Sequence, residues 1–213
     1  MTWIKICGIT NLLDAQEAVL LGADALGFIF ADSKRKVKPQ AAKEIIDLLP
    51  GHVEKIGVFL DEKAQEVEAA ARFCGLTGLQ LHGSESPKYC KGFAQYKVIK
   101  AFRVNERMGW EEIGPYAASG VVDRILLDTY VEGIPGGTGK TFPWRLVPQL
   151  RKSLTRDMPV IAAGGINPLN VLQAIKEANP FGIDVGSGVE RQAGVKDHEK
   201  LKQLIYQVKK SGA

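Results

Sequence analysis

The chain contains little cysteine, and none of its three cysteines lies in a CxxC pattern or at a Cys/His ligand spacing. A metal site is therefore not expected. The first residues lack the basic-then-apolar pattern of a signal peptide, so an odd number of cysteines indicates free thiols in a reducing cytoplasm. No apolar run approaches the roughly 20 residues that span a bilayer, so no membrane association is expected.

The chain also lacks a strong charge of either sign. Its net charge is +4, and its lysines and arginines are scattered among nearby acids, so a nucleic acid is not an expected partner. A modest positive balance would suit an anionic small molecule. Because no linker, low-complexity stretch or charge block divides the chain, we expect a single domain over residues 1–213.

Short apolar runs rich in β-forming residues alternate with helical segments along the chain. The eight expected strands are Trp3–Cys7, Ala25–Phe30, Lys55–Leu60, Gly78–Leu81, Lys97–Phe102, Arg124–Leu127, Pro159–Ala162 and Phe181–Val185. Repeated strand–helix units favour an all-parallel sheet, and eight units are the number that closes into a (β/α)8 barrel. A doubly wound open sheet is the alternative.

Between these runs, apolar residues recur at helical spacing. The expected helices are Asn11–Leu21, Pro39–Leu49, Lys63–Phe73, Ser86–Tyr96, Gly109–Ala118, Trp144–Leu154, Asn170–Ala178 and Leu201–Lys209. A helix is thus expected after each strand, as the barrel requires.

In such a barrel, catalytic groups lie at the C-terminal ends of the strands and in the loops that follow. Cys7 ends the first strand, and Asp128 follows the apolar run of the sixth. A thiolate could act as a base or nucleophile, but a free thiol has a pKa of roughly 8.5 and needs help to ionise. A structural cysteine is the alternative. A carboxylate beside apolar residues suits a general acid, and a loop hydrogen bond is the alternative for Asp128.

Glycines follow the last two expected strands, as Gly164-Gly165 and as Gly186-Ser187-Gly188. A phosphate commonly binds between these two loops of a (β/α)8 barrel, because glycine lets backbone N–H groups approach its oxygens. The two glycine pairs together predict a phosphate site at the barrel mouth, whereas either pair alone would indicate only a turn.

A longer glycine-rich stretch, Gly133–Thr141, follows the sixth strand. It does not match a P-loop, because Ile134 stands where that motif needs a glycine. The stretch is either a mobile surface loop or a loop that closes over a substrate.

Two further side chains follow expected strands. Arg35, in the loop after the second strand, could bind a carboxylate bidentately, and a solvated basic loop is the alternative. His82, after the fourth strand, could hydrogen-bond a hydroxyl or carboxylate of a ligand, or could be a satisfied loop residue.

Taken together, segments along almost the whole chain resemble the phosphoribosylanthranilate isomerase family, barrel enzymes of the tryptophan pathway. They are KICGIT at 5–10, GADALGFIF at 22–30, SKR at 33–35, LQLHG at 79–83, LLDT at 126–129, GGTGKTF at 136–142, AGGINPLNV at 163–171, SGVE at 187–190 and GVKD at 194–197. No segment is decisive alone, but the set is highly specific.

The resemblance implies an Amadori rearrangement of N-(5′-phosphoribosyl)anthranilate to 1-(2-carboxyphenylamino)-1-deoxyribulose 5-phosphate, without a metal or organic cofactor. It implies that Asp128 is the general acid that opens the ribose ring and that Cys7 is the base that removes the C2′ proton. It points to Arg35 for the anthranilate carboxylate and to Asp184 near the anthranilate amine. His82 is a further substrate-side candidate. The phosphate-binding positions that it implies are Gly164, Gly165, Ser187 and Gly188.

The chain departs from the family pattern at a few positions. Gly186 stands where serine is common, so a backbone contact would survive there but a hydroxyl contact would not. Lys36 stands where a tyrosine or apolar residue is usual. Two other functions stay open, namely another phosphosugar isomerase or epimerase barrel and a non-catalytic phosphate-binding barrel. The protein is expected to be a monomer or a homodimer.

Overall fold

The barrel closes through eight parallel strands. The computed structural model describes residues 1–104, 110–129, 141–154 and 157–211. Within these ranges the strands are β1 Trp3–Cys7, β2 Ala25–Ile29, β3 Glu54–Phe59, β4 Gly78–Leu81, β5 Lys97–Val104, β6 Arg124–Thr129, β7 Val160–Ala162 and β8 Gly182–Val185. Each strand pairs with the next along the chain, and β8 pairs with β1. The predicted (β/α)8 barrel is confirmed, and the alternative open sheet is wrong because β1 and β8 pair with each other.

A helix follows each strand. The helices are α1 Leu12–Leu21, α2 Pro39–Ile46, α3 Ala64–Cys74, α4 Pro87–Lys91, α5 Gly114–Ser119, α6 Leu146–Ser153, α7 Val171–Ala178 and α8 His198–Ser211. The side chain of Asn11 caps the start of α1, and Gly22 ends it with a φ of 98°. The fourth helix stops at Lys91, short of the predicted Tyr96, where Gly92 disfavours continuation. No helix in the described part of the chain has the length and apolar character needed to cross a membrane.

Two strands extend beyond their apolar runs. The ladder between β5 and β6 continues through the pairs Arg103 with Asp128 and Val104 with Thr129. Asp128 is therefore part of a strand rather than of a flexible loop. The strand ladder of the barrel therefore fixes the position of the Asp128 backbone, as a general acid would require.

The residues of each strand alternate between the barrel interior and the side that faces the helices. On β1, Ile4 and Ile6 belong to the large core between strands and helices. Lys5 points the other way, because its ammonium reaches side chains of β4 and β8 across the interior. The interior also holds a smaller apolar cluster of Ala25, Ile56, Ile99, Ala101, Leu126, Ile161 and Ala163.

Polar groups close the barrel at its N-terminal end. The Arg124 guanidinium lies 4.6 Å from the Trp3 ring centre and pairs with Glu54 at 2.8 Å. Lys97 reaches the same carboxylate at 2.9 Å. Burial opposes ionisation of Glu54, but the hydrogen bonds from both cations outweigh it and lower the pKa of Glu54. This end of a barrel contributes to stability rather than to catalysis.

A buried ion pair fixes the loop that follows β4. Lys100 and Glu85 lie 3.0 Å apart, and both side chains are about 2% exposed. The Lys100 ammonium also donates to the carbonyl oxygens of Leu81 and Gly83. Glu85 accepts from the backbone N–H groups of Asp61 and Gly83. The loops after β3 and β4 are thereby tied to β5.

Replacement of Lys100 by methionine should destabilise the fold strongly. Lys100→Met leaves the buried Glu85 carboxylate without its cation, so the free energy of unfolding should fall by about 3–5 kcal/mol. Lys97→Met, on the same strand, removes a half-exposed lysine from Glu54, which keeps its other partner Arg124, and should cost less than about 1 kcal/mol. Urea unfolding followed by circular dichroism measures both. Equal losses in the two variants would show that burial of the pair is unimportant.

Candidate active site

A cavity of about 510 Å³ opens at the C-terminal ends of the strands. All nine site residues expected from the sequence line it, namely Cys7, Arg35, His82, Asp128, Gly164, Gly165, Asp184, Ser187 and Gly188. They come from the ends of six strands, β1, β2, β4, β6, β7 and β8, and from the loops that follow them. The structure therefore brings together residues that are up to 181 positions apart in the chain (7 to 188).

Cys7 lies on one side of this cavity, beside a buried cation. Lys5, two residues earlier on β1, donates to Asp184 Oδ1 and to Gln80 Oε1, each at 2.9 Å. Burial opposes the charged form of Lys5, but Asp184 and Cys7 outweigh it and raise its pKa. Burial raises the pKa of the Cys7 thiol, and the positive charges of Lys5 and Lys196 act in the opposite direction. The thiol is thus a stronger base once ionised, and two cations assist its ionisation.

Asp128 and His82 lie together on another side of the cavity. Asp128 Oδ1 accepts from the backbone N–H of Thr129 at 2.8 Å, which is the loop hydrogen bond considered as an alternative role. Its other oxygen, Oδ2, lies 3.5 Å from His82 Nε2. The opposite ring nitrogen of His82, Nδ1, lies 3.0 Å from the Gln80 amide nitrogen. One carboxylate oxygen is therefore anchored, while the other is turned toward His82.

Arg35 lies at the cavity, but its guanidinium already has a carboxylate partner within the protein. It binds Glu190 in a fork, with Nε 2.9 Å from Oε1 and a terminal nitrogen 2.7 Å from Oε2. Lys196 reaches the same carboxylate at 3.0 Å. Burial opposes ionisation of Glu190, but the bonds from Arg35 and Lys196 outweigh it and lower the pKa of Glu190. The sequence analysis predicted a ligand carboxylate for Arg35 and did not predict Glu190.

The two glycine pairs meet at the far side of the mouth. Gly164 and Gly165 adopt φ values of 77° and 67°, which residues with a Cβ rarely adopt. A Cβ on Gly188 would overlap the carbonyl oxygen of Ile166, so the loops after β7 and β8 touch through bare backbone. A short 3-10 helix, Ser187–Val189, begins there. Gly186 differs from these glycines, because its φ is −111° and a Cβ there would make only an ordinary contact with the Cys7 carbonyl oxygen.

Four polar residues of the site were quoted within family segments but not predicted as functional. They are Lys5, Gln80, Glu190 and Lys196. Lys5 and Gln80 lie two positions before Cys7 and His82, and the two-residue period of a strand puts each pair on one face. That period could have identified them. The pairing of Glu190 with Arg35 joins residues 155 positions apart, for which no local signal exists.

The predicted glycine-rich stretch Gly133–Thr141 lies outside the described residues except for Thr141. Among the residues that the structure describes, no group of three or more His, Cys, Asp or Glu side chains is arranged to hold a metal ion.

A closed parallel barrel with polar strand ends around one cavity, and with glycine loops after its last two strands, is the arrangement of the (β/α)8 barrel enzymes. Sequence comparison specifies the family. Residues 4–207 match the family described as N-(5′-phosphoribosyl)anthranilate (PRA) isomerase. The chain belongs to this family.

Individual relatives agree over nearly their whole length. The chain is 49% identical to the N-(5′-phosphoribosyl)anthranilate isomerase of Desulforudis audaxviator, over 96% of this chain and 97% of the relative. A crystal structure of mutually generated monomers of the dimeric phosphoribosylanthranilate isomerase from Thermotoga maritima superposes with a TM-score of 0.87 at 38% identity, covering 99% of this chain and 100% of the other. A further isomerase structure, in complex with reduced 1-(o-carboxyphenylamino)-1-deoxyribulose 5-phosphate, has a TM-score of 0.83 at 38% identity and the same coverage.

The electrostatics of the thiol can be tested by alkylation. Since burial raises the pKa of Cys7, its reaction with iodoacetamide should be slow at neutral pH and should accelerate as pH rises. Lys5→Met removes a charge that favours the thiolate, so the midpoint of this acceleration should move to still higher pH. The rate is followed by mass spectrometry of the peptide that contains Cys7.

The control is Lys176→Met, which removes one positive charge from an exposed position on α7. It should leave the alkylation midpoint of Cys7 where it is in the unmodified protein. If Lys5→Met also left it there, Lys5 would have no electrostatic effect on the thiol.

Proposed function

We propose that the protein catalyses the Amadori rearrangement of N-(5′-phosphoribosyl)anthranilate to 1-(2-carboxyphenylamino)-1-deoxyribulose 5-phosphate. The observation that carries this proposal is the presence of a thiol and a carboxylate, Cys7 and Asp128, at one cavity of a barrel that belongs to this isomerase family. The two groups lie on β1 and β6, three steps apart around the barrel. A base and an acid at separate points can act on different atoms of one sugar.

Asp128 acts first, as the general acid. The protonated carboxyl group gives its proton to the ribose ring oxygen, the C1′–O4′ bond breaks, and the anthranilate nitrogen supplies the electron pair that forms a C1′ iminium. The anchored oxygen, Oδ1, holds the carboxylate, and Oδ2 is available to the substrate. Placement of the acid within strand β6 limits its movement, which favours proton transfer along one path.

Cys7 acts second, as the base. Its thiolate takes the C2′ proton, and the electron pair of the broken C–H bond forms a C1′=C2′ bond while the iminium becomes an amine. The resulting enolamine becomes the ketone when C1′ gains a proton and the C2′ hydroxyl loses one. The iminium is the electron sink, so this step draws no electrons from a cofactor. A thiol pKa above its ordinary value gives a strong base, and Lys5 supports formation of the thiolate.

The phosphate and the anthranilate ring anchor the substrate at two ends. We assign the phosphate to backbone N–H groups of Gly164, Gly165, Ser187 and Gly188, which the touching loops after β7 and β8 support. Arg35 is assigned to the anthranilate carboxylate, and its fork with Glu190 holds the guanidinium at the cavity. Asp184 is assigned to the anthranilate amine, and its bond to Lys5 fixes one of its oxygens. His82 is assigned to the substrate side near Asp128.

The remaining expectations extend the same proposal. The chain acts as one domain on a small phosphorylated substrate, in the cytoplasm, and as a monomer or homodimer. The three free cysteines support a reducing location, and the dimeric Thermotoga maritima relative supports the homodimer as one of the two states. Another phosphosugar isomerase is not favoured, because the family match and the thiol at the end of β1 agree with each other.

Substitution of the acid and the base should each remove turnover. Cys7→Ala and Asp128→Asn should each lower kcat by about 100- to 10,000-fold, the usual contribution of a positioned acid or base. Turnover is followed as loss of the anthranilate-type fluorescence of phosphoribosylanthranilate, and circular dichroism checks the fold. Cys90→Ala, which alters a buried cysteine away from the cavity, is the control and should keep near-normal kcat. Near-normal kcat in either test variant would contradict its assigned role.

The phosphate loops can be tested through one pair of glycines. Gly188→Ala forces the loops after β7 and β8 apart and should raise the inhibition constant of inorganic phosphate, measured in the same assay. Gly186→Ala introduces the same methyl group two residues earlier, where it would make only an ordinary contact with the Cys7 carbonyl oxygen at 3.7 Å, and should change that constant much less. The same phosphate inhibition in both variants would place the phosphate elsewhere.

A further inference from the structure

A continuous row of polar side chains crosses the barrel interior from Asp184, at the end of β8, to Asp128, at the end of β6. Asp184 pairs with Lys5, Lys5 donates to Gln80, Gln80 contacts His82, and His82 faces Asp128. The four separations are 2.9, 2.9, 3.0 and 3.5 Å. Gln80 lies between the Asp184–Lys5 pair and the His82–Asp128 pair and contacts both of them.

The orientation of the Gln80 amide follows from its neighbour. An ammonium group has only donors, so the oxygen of the Gln80 amide must face Lys5. The structure shows this orientation, with Gln80 Oε1 2.9 Å from the Lys5 nitrogen. The amide nitrogen then faces His82 Nδ1 at 3.0 Å. Lys5 therefore decides which end of the amide His82 meets.

The amide nitrogen in turn decides where His82 carries its proton. An amide NH2 group offers only donors, so Nδ1 of His82 must accept and the ring proton lies on Nε2. Nε2 is the atom that faces Asp128 Oδ2, and no ordinary hydrogen-bond acceptor reaches it among the described residues. The N–H group is thus directed at Asp128 and at whatever occupies the cavity beside it.

A purely structural role does not account for Gln80. Gln80 is about 1% exposed, and the residues paired with it on the flanking strands, Val58 and Ile99, are apolar. Its oxygen stabilises the buried Lys5 ammonium, but that role alone would not require a side chain that also presents N–H donors to His82. Because the two ends of the Gln80 amide contact Lys5 and His82, we expect Gln80 to orient these two side chains.

We propose that Gln80 is a positioning residue that holds Lys5 beside Cys7 and sets the Nε2–H tautomer of His82 toward Asp128. The proposal rests on the proposed function, since it assigns Gln80 to the support of that acid and base. Its effect is on the chemical step, because Gln80 acts through residues of the site rather than through the substrate.

The first experiment reads the tautomer directly. Nitrogen-15 NMR of the imidazole groups, with His82→Asn used to assign the signals of His82, should show the proton on Nε2 in the unmodified protein at a pH where the ring is neutral. In Gln80→Glu, the carboxylate should still accept from Lys5 but needs a donor from His82, so the proton should move to Nδ1. A proton on Nδ1 in the unmodified protein would overturn the proposal, whether or not any variant folds.

The second experiment measures turnover. Gln80→Met, close in size but without hydrogen-bonding groups, should lower kcat about 10- to 100-fold, the factor for one lost hydrogen bond to a charged group. KM should change little. Gln173→Met, the same change on an exposed face of α7, is the control and should leave both constants unchanged. Unchanged kcat in a folded Gln80→Met variant, or a change confined to KM, would contradict the positioning role.

The outcomes also separate this inference from the proposed function. If the unmodified protein fails to convert phosphoribosylanthranilate, the proposed function is wrong, and the NMR result still decides whether Gln80 sets the tautomer. If it converts the substrate but His82 carries its proton on Nδ1, the function stands and the role of Gln80 falls.

Discussion

The site depends on a buried ammonium group at the centre of the barrel. Lys5 is fully buried, and a charge in that position is tolerated only when it is paired and hydrogen-bonded. Asp184 supplies the charge and Gln80 the second acceptor, so one side chain of β1 joins β8 and β4 across the interior. The same ammonium lies beside Cys7 and favours its thiolate. Lys5 therefore joins three strands through the interior and at the same time favours the thiolate form of the proposed base, Cys7.

A second buried cation, Lys196, connects the loops at the C-terminal end of the barrel, as Lys5 connects strands in the interior. Lys196 donates to the carbonyl oxygens of Cys7 and Gly186, at the ends of the neighbouring strands β1 and β8, and pairs with Glu190. Glu190 also binds Arg35, which brings the loop after β2 into the same network. Burial lowers the pKa of Lys196 even though Glu190 acts against this. The Glu190 carboxylate thus pairs with both Arg35 and Lys196, and this network connects the loops that follow β1, β2 and β8.

The sequence predicts the barrel well because its evidence is local. Each strand is an apolar run, and the glycines at 164, 165 and 188 mark backbone that no larger residue could form. It predicts individual contacts less well. The segment Trp3–Cys7 has the pattern of an apolar strand with one charged residue, Lys5. Only closure of the barrel brings Lys5 to Asp184, 179 positions away. The partner of Arg35 was missed for the same reason, since pairing across the fold leaves no trace in local spacing.

The electrostatic balance of the site explains why its cations are buried. The proposed substrate carries a phosphate and a carboxylate, and both negative charges oppose formation of a thiolate near them. Burial alone already raises the pKa of Cys7. Exposed lysines would offset these effects poorly, because water and salt screen them. In the low-dielectric interior, the charges of Lys5 and Lys196 are screened less and lower the pKa of the thiol, whereas the neighbouring Asp184 carboxylate raises it. Lys5 and Lys196 therefore favour the thiolate that the proposed reaction requires.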